Sequence, residues 1–289
     1  MRNVTKTTLT DAVKNTFNCE DERTGYLLAR LVDYIHDYAR EVNLTHDEWR
    51  KAIELLTKAG EISDDERNEF VLFSDVLGLS SLVDAIGSPP GATESSVLGP
   101  FHILGAPDLA IGGDMKKDND GDISIVSGIV SGTDGTPLEG AVLEIWQTAD
   151  NGLYSNQDPD QDRYSFRARQ VTGPDGRYCF TTVRPAPYSV PDDGPVGELL
   201  HATGRHPWRP SHLHFIVMAD GHKSVVTELF PEDDPYLDED AVFGVRESLI
   251  LHYERHDDLA DLPDGLEAAS SITAPYYTVD FDFTLAKET

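Results

Sequence analysis

The feature that most constrains the fold is a series of short apolar segments that begins near residue 122. ISIVSGIVSG, AVLEIWQ, GRYCFTTV and HLHFIVM each have the length of one strand, and turn residues such as DG and GTP separate them. Alternating strands with turns every 8 to 12 residues or so are typical of an antiparallel β-sandwich. Because no long helical segment interrupts them and no phosphate-binding glycine loop is present, a doubly wound nucleotide-binding fold is disfavoured.

The chain before these strands has a helical pattern. Apolar residues between positions 27 and 42 recur at a period near 3.6 and predict an amphipathic helix. In the next segment, THDEWRKAIELLTKAG, Thr45 and Glu48 form a capping box, so a second helix is predicted there.

A third helix is predicted in SDDERNEFVLFSDVLGLSSLVDAI, with Ser63 and Glu66 as its capping box. It is apolar on nearly every side, so we expect it to be buried in its domain or in a subunit interface. The fold class is therefore mainly β with a helical N-terminal part. We predict a helical domain at residues 1–95 and a β-sandwich domain at residues 96–289, with long loops at 149–170 and 184–210.

Charge and composition restrict the partners and the compartment. The chain has 23 Lys and Arg against 52 Asp and Glu, a net charge of -29 that would repel nucleic acid and anionic membranes. No apolar run has the length of a signal peptide or of a membrane span. Because Cys19 and Cys179 lack metal-type spacing, they suit a reducing compartment. We therefore expect a cytoplasmic protein that binds neither nucleic acid nor membranes.

The segment RPSHLHF contains two histidines one residue apart, His212 and His214. In a strand both side chains lie on one face, whereas Leu213 and Phe215 point into the core. Both imidazoles can then reach one metal ion. The pair alone nevertheless fits two hydrogen-bonded histidines on a half-exposed strand better, because short motifs match by chance.

A metal site would need further ligands, and the sequence offers two kinds. Glu228, on a neighbouring predicted strand, would complete a ferrous centre with two histidines and one carboxylate, although its separation from His214 does not fit common jelly-roll sites. Tyrosines upstream are the other choice, and they are Tyr154, Tyr164, Tyr178 and Tyr188. A packed aromatic ring with a hydrogen-bonded hydroxyl describes each of them equally well, and spacing does not choose among them.

Four motifs in order give the chain a family resemblance. They are ESSVLGPF at 94–101, GTPLEGAVLEIWQTADNGLYS at 135–155, RPAPYSVP at 184–191 and GRHPWRPSHLHF at 204–215. The segment TELFPEDDPYLDEDAVFGVRESLI at 227–250 extends the likeness. The chain resembles the intradiol ring-cleavage dioxygenases, non-haem iron(III) enzymes that open catechols between their two hydroxyls. The resemblance covers nearly the whole chain.

Position by position, the resemblance implies one Fe(III) per subunit, bound by Tyr154, Tyr188, His212 and His214. Two phenolates and a hydroxide would balance the ferric charge, and Tyr188 is the ligand expected to leave and take a substrate proton. Arg209 matches the family's active-site arginine. It would stabilise negative charge on the reacting ring, an effect worth about 3 kcal/mol for a preorganised donor.

Asp75 bears on the substrate, because it shares a predicted helix face with Val71, Leu72, Leu79 and Leu82. A buried carboxylate needs a partner, and the residues leave open a backbone group, an arginine or a substrate hydroxyl. The hydroxyquinol-cleaving members resemble this chain at SDVLG, VLGPF and the Val-Pro pair after Tyr188. A third ring hydroxyl would pair with Asp75, so the resemblance favours benzene-1,2,4-triol, with 3-hydroxy-cis,cis-muconate as product. Catechol and chlorocatechols are the alternative substrates.

The same resemblance implies a pocket wall and a subunit arrangement. The implied wall residues are Leu72, Leu98, Gly99, Pro100, Phe101, Val190, Pro191 and Val242. Small aromatic diols or triols and O2 are the implied partners, and a homodimer through the N-terminal helices, with a bound phospholipid, is the implied assembly. Tyr164 and Tyr178 match no ligand position. A non-catalytic transthyretin-like module is the alternative from another class, but such a module does not need the tyrosine pair.

Overall fold

The computed structural model describes residues 4–64, 67–116, 119, 121–267 and 269–288. Two compact units divide the chain, Met1–Lys58 and Ala59–Thr289. The domain boundary between residues 95 and 96 stays a prediction. Helices in the described residues are α1 Leu9–Lys14, α2 Glu22–Glu41, α3 His46–Ile62, α4 Glu69–Val76, α5 Leu79–Gly87 and α6 Pro195–Ala202.

The first unit contains the predicted amphipathic helix α2. Asp21 caps it, because its carboxylate accepts hydrogen bonds from the amides of Arg23 and Thr24. None of its residues is buried, and its apolar face is exposed in the single chain. The capping box before α3 is confirmed: the Thr45 amide donates to Glu48 at 2.9 Å, and the Glu48 amide donates to Thr45 Oγ1 at 3.3 Å.

The predicted third helix is wrong as one element, because the segment forms α4 and α5. Asn68, not Ser63, caps α4 by accepting hydrogen bonds from two amides at 3.1 Å, and Glu66 lies outside the described residues. Gly78, with φ of 72°, takes a left-handed conformation that ends the first helix, and the two axes differ by 75°.

This break changes the environment that was expected for the segment. Leu79 and Leu82 do not share a helix face with Asp75, and each is 55% exposed in the single chain. The expected burial of the whole segment within the domain is therefore wrong for α5. No single described helix is long and apolar enough to cross a membrane, although α4 and α5 taken together reach such a length and composition.

Thirteen short strands form in the described part of the second unit. They are β1 Gly113–Asp114, β2 Ile123–Gly132, β3 Val142–Gln147, β4 Arg167–Val171, β5 Arg177–Val183, β6 Tyr188–Ser189, β7 Trp208–Arg209, β8 Leu213–Met218, β9 Val225–Pro231, β10 Ile250–Leu251, β11 Glu254–His256, β12 Tyr276–Asp280 and β13 Phe283–Leu285. One sheet has the order β1-β5-β2-β12-β11, with β13 also on β2, and the second has the order β10-β9-β8-β3-β4. The pair β6 and β7 stands apart.

The predicted sandwich is confirmed, and its interior pairs β2–β5, β3–β8 and β8–β9 are antiparallel. Parallel pairs occur as well, at β1–β5, β9–β10, β2–β12 and β2–β13. Alternate residues of both sheets, such as Val126 of β2 and Phe215 of β8, meet in one apolar core. A second apolar cluster joins α4, α6 and the loops over the opposite face of β8.

Candidate metal centre and substrate cavity

The alternation of β8 decides where the two histidines lie. Leu213 and Phe215 are fully buried in the core between the sheets. His212 and His214 therefore lie on the opposite face, and both are buried there by the second cluster. The sequence prediction that the two histidines share a face is confirmed.

Three side-chain atoms converge at this face. The Nε2 atoms of His212 and His214 are 3.1 Å apart, and the Tyr154 Oη lies 3.2 Å from the first and 3.1 Å from the second. A point equidistant from three such atoms is about 1.8 Å from each, slightly less than the metal–ligand distances of about 2.0–2.2 Å. Three donor atoms this close together could all bind one metal ion.

The protonation states of His212 and His214 suit metal binding. His212 Nδ1 lies 2.7 Å from the carbonyl of Pro210, which only accepts, so this nitrogen carries the proton and Nε2 carries a lone pair. Burial lowers the pKa of His212, and it lowers that of His214 well below its usual value. Both rings are therefore neutral, which is the form that binds metals.

Tyr154 is placed by a tight turn that also brings the second tyrosine near. Gly152, with φ of 78°, allows the turn, and a Cβ there would lie 3.1 Å from the carbonyl of Pro187. The rings of Tyr154 and Tyr188 meet edge to face at 5.4 Å. Burial raises the pKa of both phenols, so a strong positive charge nearby is needed before they ionise.

Arg209 lies directly opposite Tyr188 in the β6–β7 pair. Its guanidinium is buried and makes two parallel hydrogen bonds to Glu228, of 2.7 and 2.9 Å. Asp240 accepts two more from Nε and Nη2, at 3.0 and 3.2 Å. On the site side, Nη1 lies 3.5 Å from Tyr188 Oη and 3.4 Å from His212 Nε2.

Glu228 gives the centre an alternative ligand set. It stands opposite His214 in the β8–β9 pair, and suitable atoms of His212, His214 and Glu228 all lie within 4.8 Å of one another. Both carboxylate oxygens, however, already accept hydrogen bonds from Arg209, and Ser96 donates a third at 2.7 Å. A metal bound by Glu228 would have to displace at least one of these bonds.

A narrow cavity adjoins Tyr188 and Arg209. It is lined by Leu72, Asp75, Val97, Gly99, Pro100, Phe101, Tyr188, Val190, Pro191, Arg209 and Val242. The wall residues implied by the resemblance are all present except Leu98, which lines an outer cavity of about 710 Å³. The two cavities share Asp75 and the loop at 97–100, so the outer one leads toward the inner one.

Asp75, which the sequence singled out for substrate binding, lies in the wall of the inner cavity. It is 4% exposed. Burial raises its pKa, while the nearby Ser80 hydroxyl and the charge of Arg209 oppose that rise. Apolar side chains surround the carboxylate in the inner cavity, whose free volume is only about 10 Å³, and Asp75 also lines the outer cavity, so it can bind a hydroxyl that reaches it from there.

Comparison with known proteins assigns the family. A sequence profile described as Dioxygenase matches residues 99–286, and one described as Catechol dioxygenase N terminus matches residues 21–93. The chain belongs to the intradiol ring-cleavage dioxygenase family. Members of this family are non-haem iron enzymes, and the cluster at His212 and His214 is suited to a metal ion.

Three members of the dioxygenase family show how close the similarity is. A hydroxyquinol 1,2-dioxygenase of Rhizobium sp. (strain MTP-10005) is 45% identical, over 93% of this chain and 91% of the relative. A 6-chlorohydroxyquinol 1,2-dioxygenase of Cupriavidus pinatubonensis is 47% identical, over 91% and 90%. The crystal structure of hydroxyquinol 1,2-dioxygenase from Pseudomonas putida DLL-E4 superposes with a TM-score of 0.89, at 43% identity, and covers 98% of this chain and 99% of that one.

Some residues of this site were not predicted from the sequence. Asp240 holds Arg209 from a distant loop, and no local pattern marks it. Arg167 is buried with its guanidinium carbon 6.0 Å from the centre of the Tyr154 ring, and burial lowers its pKa to about 10. Trp146 stacks on His214 at 4.5 Å, and the pairing of β3 with β8 could have indicated it.

Proposed function

We propose that this protein cleaves benzene-1,2,4-triol between its 1- and 2-hydroxyls with O2, giving 3-hydroxy-cis,cis-muconate. The observation that carries the substrate choice is the buried Asp75 in the wall of the cavity that also contains Tyr188 and Arg209. Relatives of 45% and 47% identity are named for hydroxyquinol and 6-chlorohydroxyquinol, which supports the same choice.

The proposed cofactor is one Fe(III) per subunit, held by Tyr154, Tyr188, His212 and His214. The convergence of donor atoms of Tyr154, His212 and His214 within 3.2 Å of one another supports three of these ligands, and the Tyr188 ring lies 5.4 Å from that of Tyr154. Two neutral imidazoles and two phenols that ionise on metal binding suit a ferric ion, because phenolates supply the negative charge that it requires. When bound, the ion supplies the Lewis acidity that lets a chelated diol react with O2.

Tyr188 and Arg209 have separate roles in this proposal. Tyr188 borders the cavity, and its phenolate, formed when it binds the metal, would take a proton from an incoming hydroxyl and become the neutral phenol. Arg209 keeps one N–H fixed at the cavity wall, which can donate to negative charge that develops on the ring. Because Arg209 is fully buried and held by two carboxylates, it needs no reorganisation during the reaction.

Asp75 has the role of a specificity residue. A carboxylate in an apolar wall is stabilised by a hydrogen bond from a third ring hydroxyl, which catechol lacks. A site built to bind a hydroxyl discriminates strongly against an analogue without it, since the buried partner is then left unpaired. The apolar residues around it, including Leu72, Val190 and Val242, pack against the ring.

Oxygen uptake by the purified, iron-loaded protein tests this function. We expect turnover of benzene-1,2,4-triol, with kcat/KM at least about 10-fold above that for catechol and 4-chlorocatechol, as one charge-assisted hydrogen bond would provide. The product should have the absorption spectrum of a muconate, a dicarboxylate, and not that of an aldehyde. An equal or faster reaction with catechol would overturn the substrate assignment, and no oxygen uptake with any of the three would overturn the reaction.

We propose a homodimer formed through the N-terminal helices, within a helical dimerisation domain at 1–95. The support is the apolar face of α2, on which Leu31, Ile35 and Tyr38 are more than half exposed in the single chain. Light scattering should give twice the chain mass, and Leu31→Glu with Ile35→Glu should give a monomer. Extraction followed by mass spectrometry will show whether a phospholipid copurifies; a monomeric wild-type protein would refute the dimer.

A further inference from the structure

Almost all of the N–H donors of Arg209 make hydrogen bonds to carboxylates. A guanidinium has five N–H groups in a fixed plane. Four of them face carboxylates: Nε and one N–H of Nη2 face Asp240, and the other N–H of Nη2 and one of Nη1 face Glu228. The fifth, on Nη1, points toward Tyr188 Oη and His212 Nε2. The two acids therefore fix which donor the arginine presents to the site.

The two carboxylates are themselves fixed. Glu228 receives a hydrogen bond from the Ser96 hydroxyl at 2.7 Å. Asp240 accepts from the amides of Val242, at 3.2 Å, and Gly244, at 2.8 Å. All three charged side chains are almost fully buried, so water cannot substitute for any of these partners.

Gly244 shows how closely the chain is fitted to this cluster. A Cβ at that position would lie 2.7 Å from Arg209 Nη2, 2.7 Å from Glu228 Oε2 and 3.1 Å from Asp240 Oδ2. Its backbone conformation does not itself require glycine, since its φ lies outside the left-handed range. The absence of a side chain there leaves the space that the ion cluster occupies.

Charge balance alone does not explain the arrangement. One carboxylate would neutralise Arg209, and burying a second costs desolvation energy that a single ion pair avoids. The second carboxylate does, however, prevent the guanidinium from turning in its plane, because Glu228 and Asp240 hold adjacent edges of the fork.

We propose that Glu228 and Asp240 are positioning residues, which hold Arg209 so that one N–H faces the bound substrate. This inference rests on the proposed function, in which Arg209 stabilises charge on the ring. It also assigns Glu228 to the arginine and not to the metal. The effects of both residues on Arg209 should appear in turnover and not in iron binding. Because Glu228 Oε1 also lies 3.4 Å from His212 Nε2 and 3.6 Å from His214 Nδ1, iron content is measured beside turnover.

The isosteric variants Glu228→Gln and Asp240→Asn test this proposal. Each should retain the iron content and the visible absorption band of the wild-type protein. Each should lower kcat by about 10- to 100-fold, the usual cost of removing a group that orients an active-site residue, with KM for the triol changed less than about 3-fold. On an Arg209→Lys background the same substitutions should have little further effect on kcat, because the guanidinium that the two acids orient is no longer present.

Glu69→Gln is the matched control. Glu69 is also a fully buried glutamate, with its carboxylate 3.0 Å from Arg67, and it lies outside the inner cavity. Loss of iron in Glu228→Gln would overturn the proposal in favour of a ligand role. Loss of kcat no greater than in Glu69→Gln, or full additivity on the Arg209→Lys background, would overturn it too.

Failure of the positioning role can be distinguished from failure of the proposed function. If Glu228→Gln does not fold, Asp240→Asn decides the question alone. The hydrogen bonds of the Asp240 carboxylate go to Arg209, Val242 and Gly244, and not to either histidine. If the iron-loaded wild-type protein is inactive on the triol, the proposed function fails. An active wild type with unaffected Asp240→Asn turnover contradicts only the positioning role.

Discussion

The Nε2 atoms of His212 and His214 lie 3.1 Å apart, with the two rings at 87° to one another. Because burial keeps both rings neutral, their close approach is not opposed by charge. Because His212 Nδ1 faces the carbonyl of Pro210, its Nε2 presents a lone pair toward His214. The two imidazoles and the phenol oxygen of Tyr154 therefore form a cluster of donor atoms that is suited to a metal ion.

Tyr154→Phe should remove most of the bound iron. The substitution deletes one of three converging donors and leaves the ring in place, so iron affinity should fall by about 100-fold or more, beyond the 10- to 100-fold or so that supporting residues cost. Metal analysis after dialysis against a weak chelator gives the measurement.

Tyr178→Phe is the matched control for that change. Tyr178 is equally buried, but its hydroxyl donates to the carbonyl of Phe281 at 2.7 Å, away from the metal site. It should keep its iron and lose only about 1 kcal/mol of unfolding free energy for one hydrogen bond. Equal iron retention by the two variants would show that Tyr154 is not a ligand.

Tyr188→Phe should retain iron and lose activity. The three converging donors of Tyr154, His212 and His214 all remain, whereas the phenolate that takes the substrate proton is gone, so kcat should fall by about 10²- to 10⁴-fold. Stopped-flow assays of single turnover measure the step directly. Wild-type turnover in this variant would mean that the proton acceptor has been misplaced.

Asp75→Leu should abolish the preference for the triol. It removes the buried carboxylate and keeps a similar volume, so kcat/KM for benzene-1,2,4-triol should fall by about 10- to 100-fold, whereas the value for catechol should hold or rise. Asp84→Leu, at another carboxylate of the outer cavity, is the control and should leave the ratio unchanged. An unchanged ratio in Asp75→Leu would refute the specificity role.

The stability of the second unit should depend on the protonation of Asp84. Burial raises the pKa of this carboxyl to about 6 in the folded protein, above its ordinary value of 3.8. A raised folded-state pKa means that the protonated form is favoured by folding, so this contribution is complete below about pH 4 and is lost as the pH rises through about 6.

Asp84→Asn should remove that dependence. Denaturant unfolding between pH 4 and pH 7.5 should show the variant gaining stability relative to the wild type as the pH rises. Identical pH profiles for the two proteins would contradict the shifted pKa.

Strand periodicity made part of this site predictable. Alternation in LHFIVM is sufficient to place His214 opposite Phe215, because the period of two is a property of any strand. The two proposed tyrosine ligands were different, since Tyr154 and Tyr188 approach the histidines through loops whose path depends on Gly152 and on pairing of β6 with β7. Only the family resemblance selected them.

Other features depended on contacts distant in sequence or on one backbone conformation. Asp240 reaches Arg209 across 31 residues, and no local pattern marks such a partner. The break at Gly78 divides a continuous apolar segment, because a single left-handed residue outweighs periodicity. The helix α6, within the predicted loop at 184–210, was signalled only by Pro195 at its first turn.

The visible spectrum of the iron-loaded wild-type protein tests the central claim most directly. Two tyrosinates bound to Fe(III) transfer charge to the metal, so the protein should be red-brown with a broad band that shifts when benzene-1,2,4-triol is added without O2. Tyr154→Phe and Tyr188→Phe should each weaken or shift this band. A colourless protein that contains one ferric ion per subunit would contradict the ligand set.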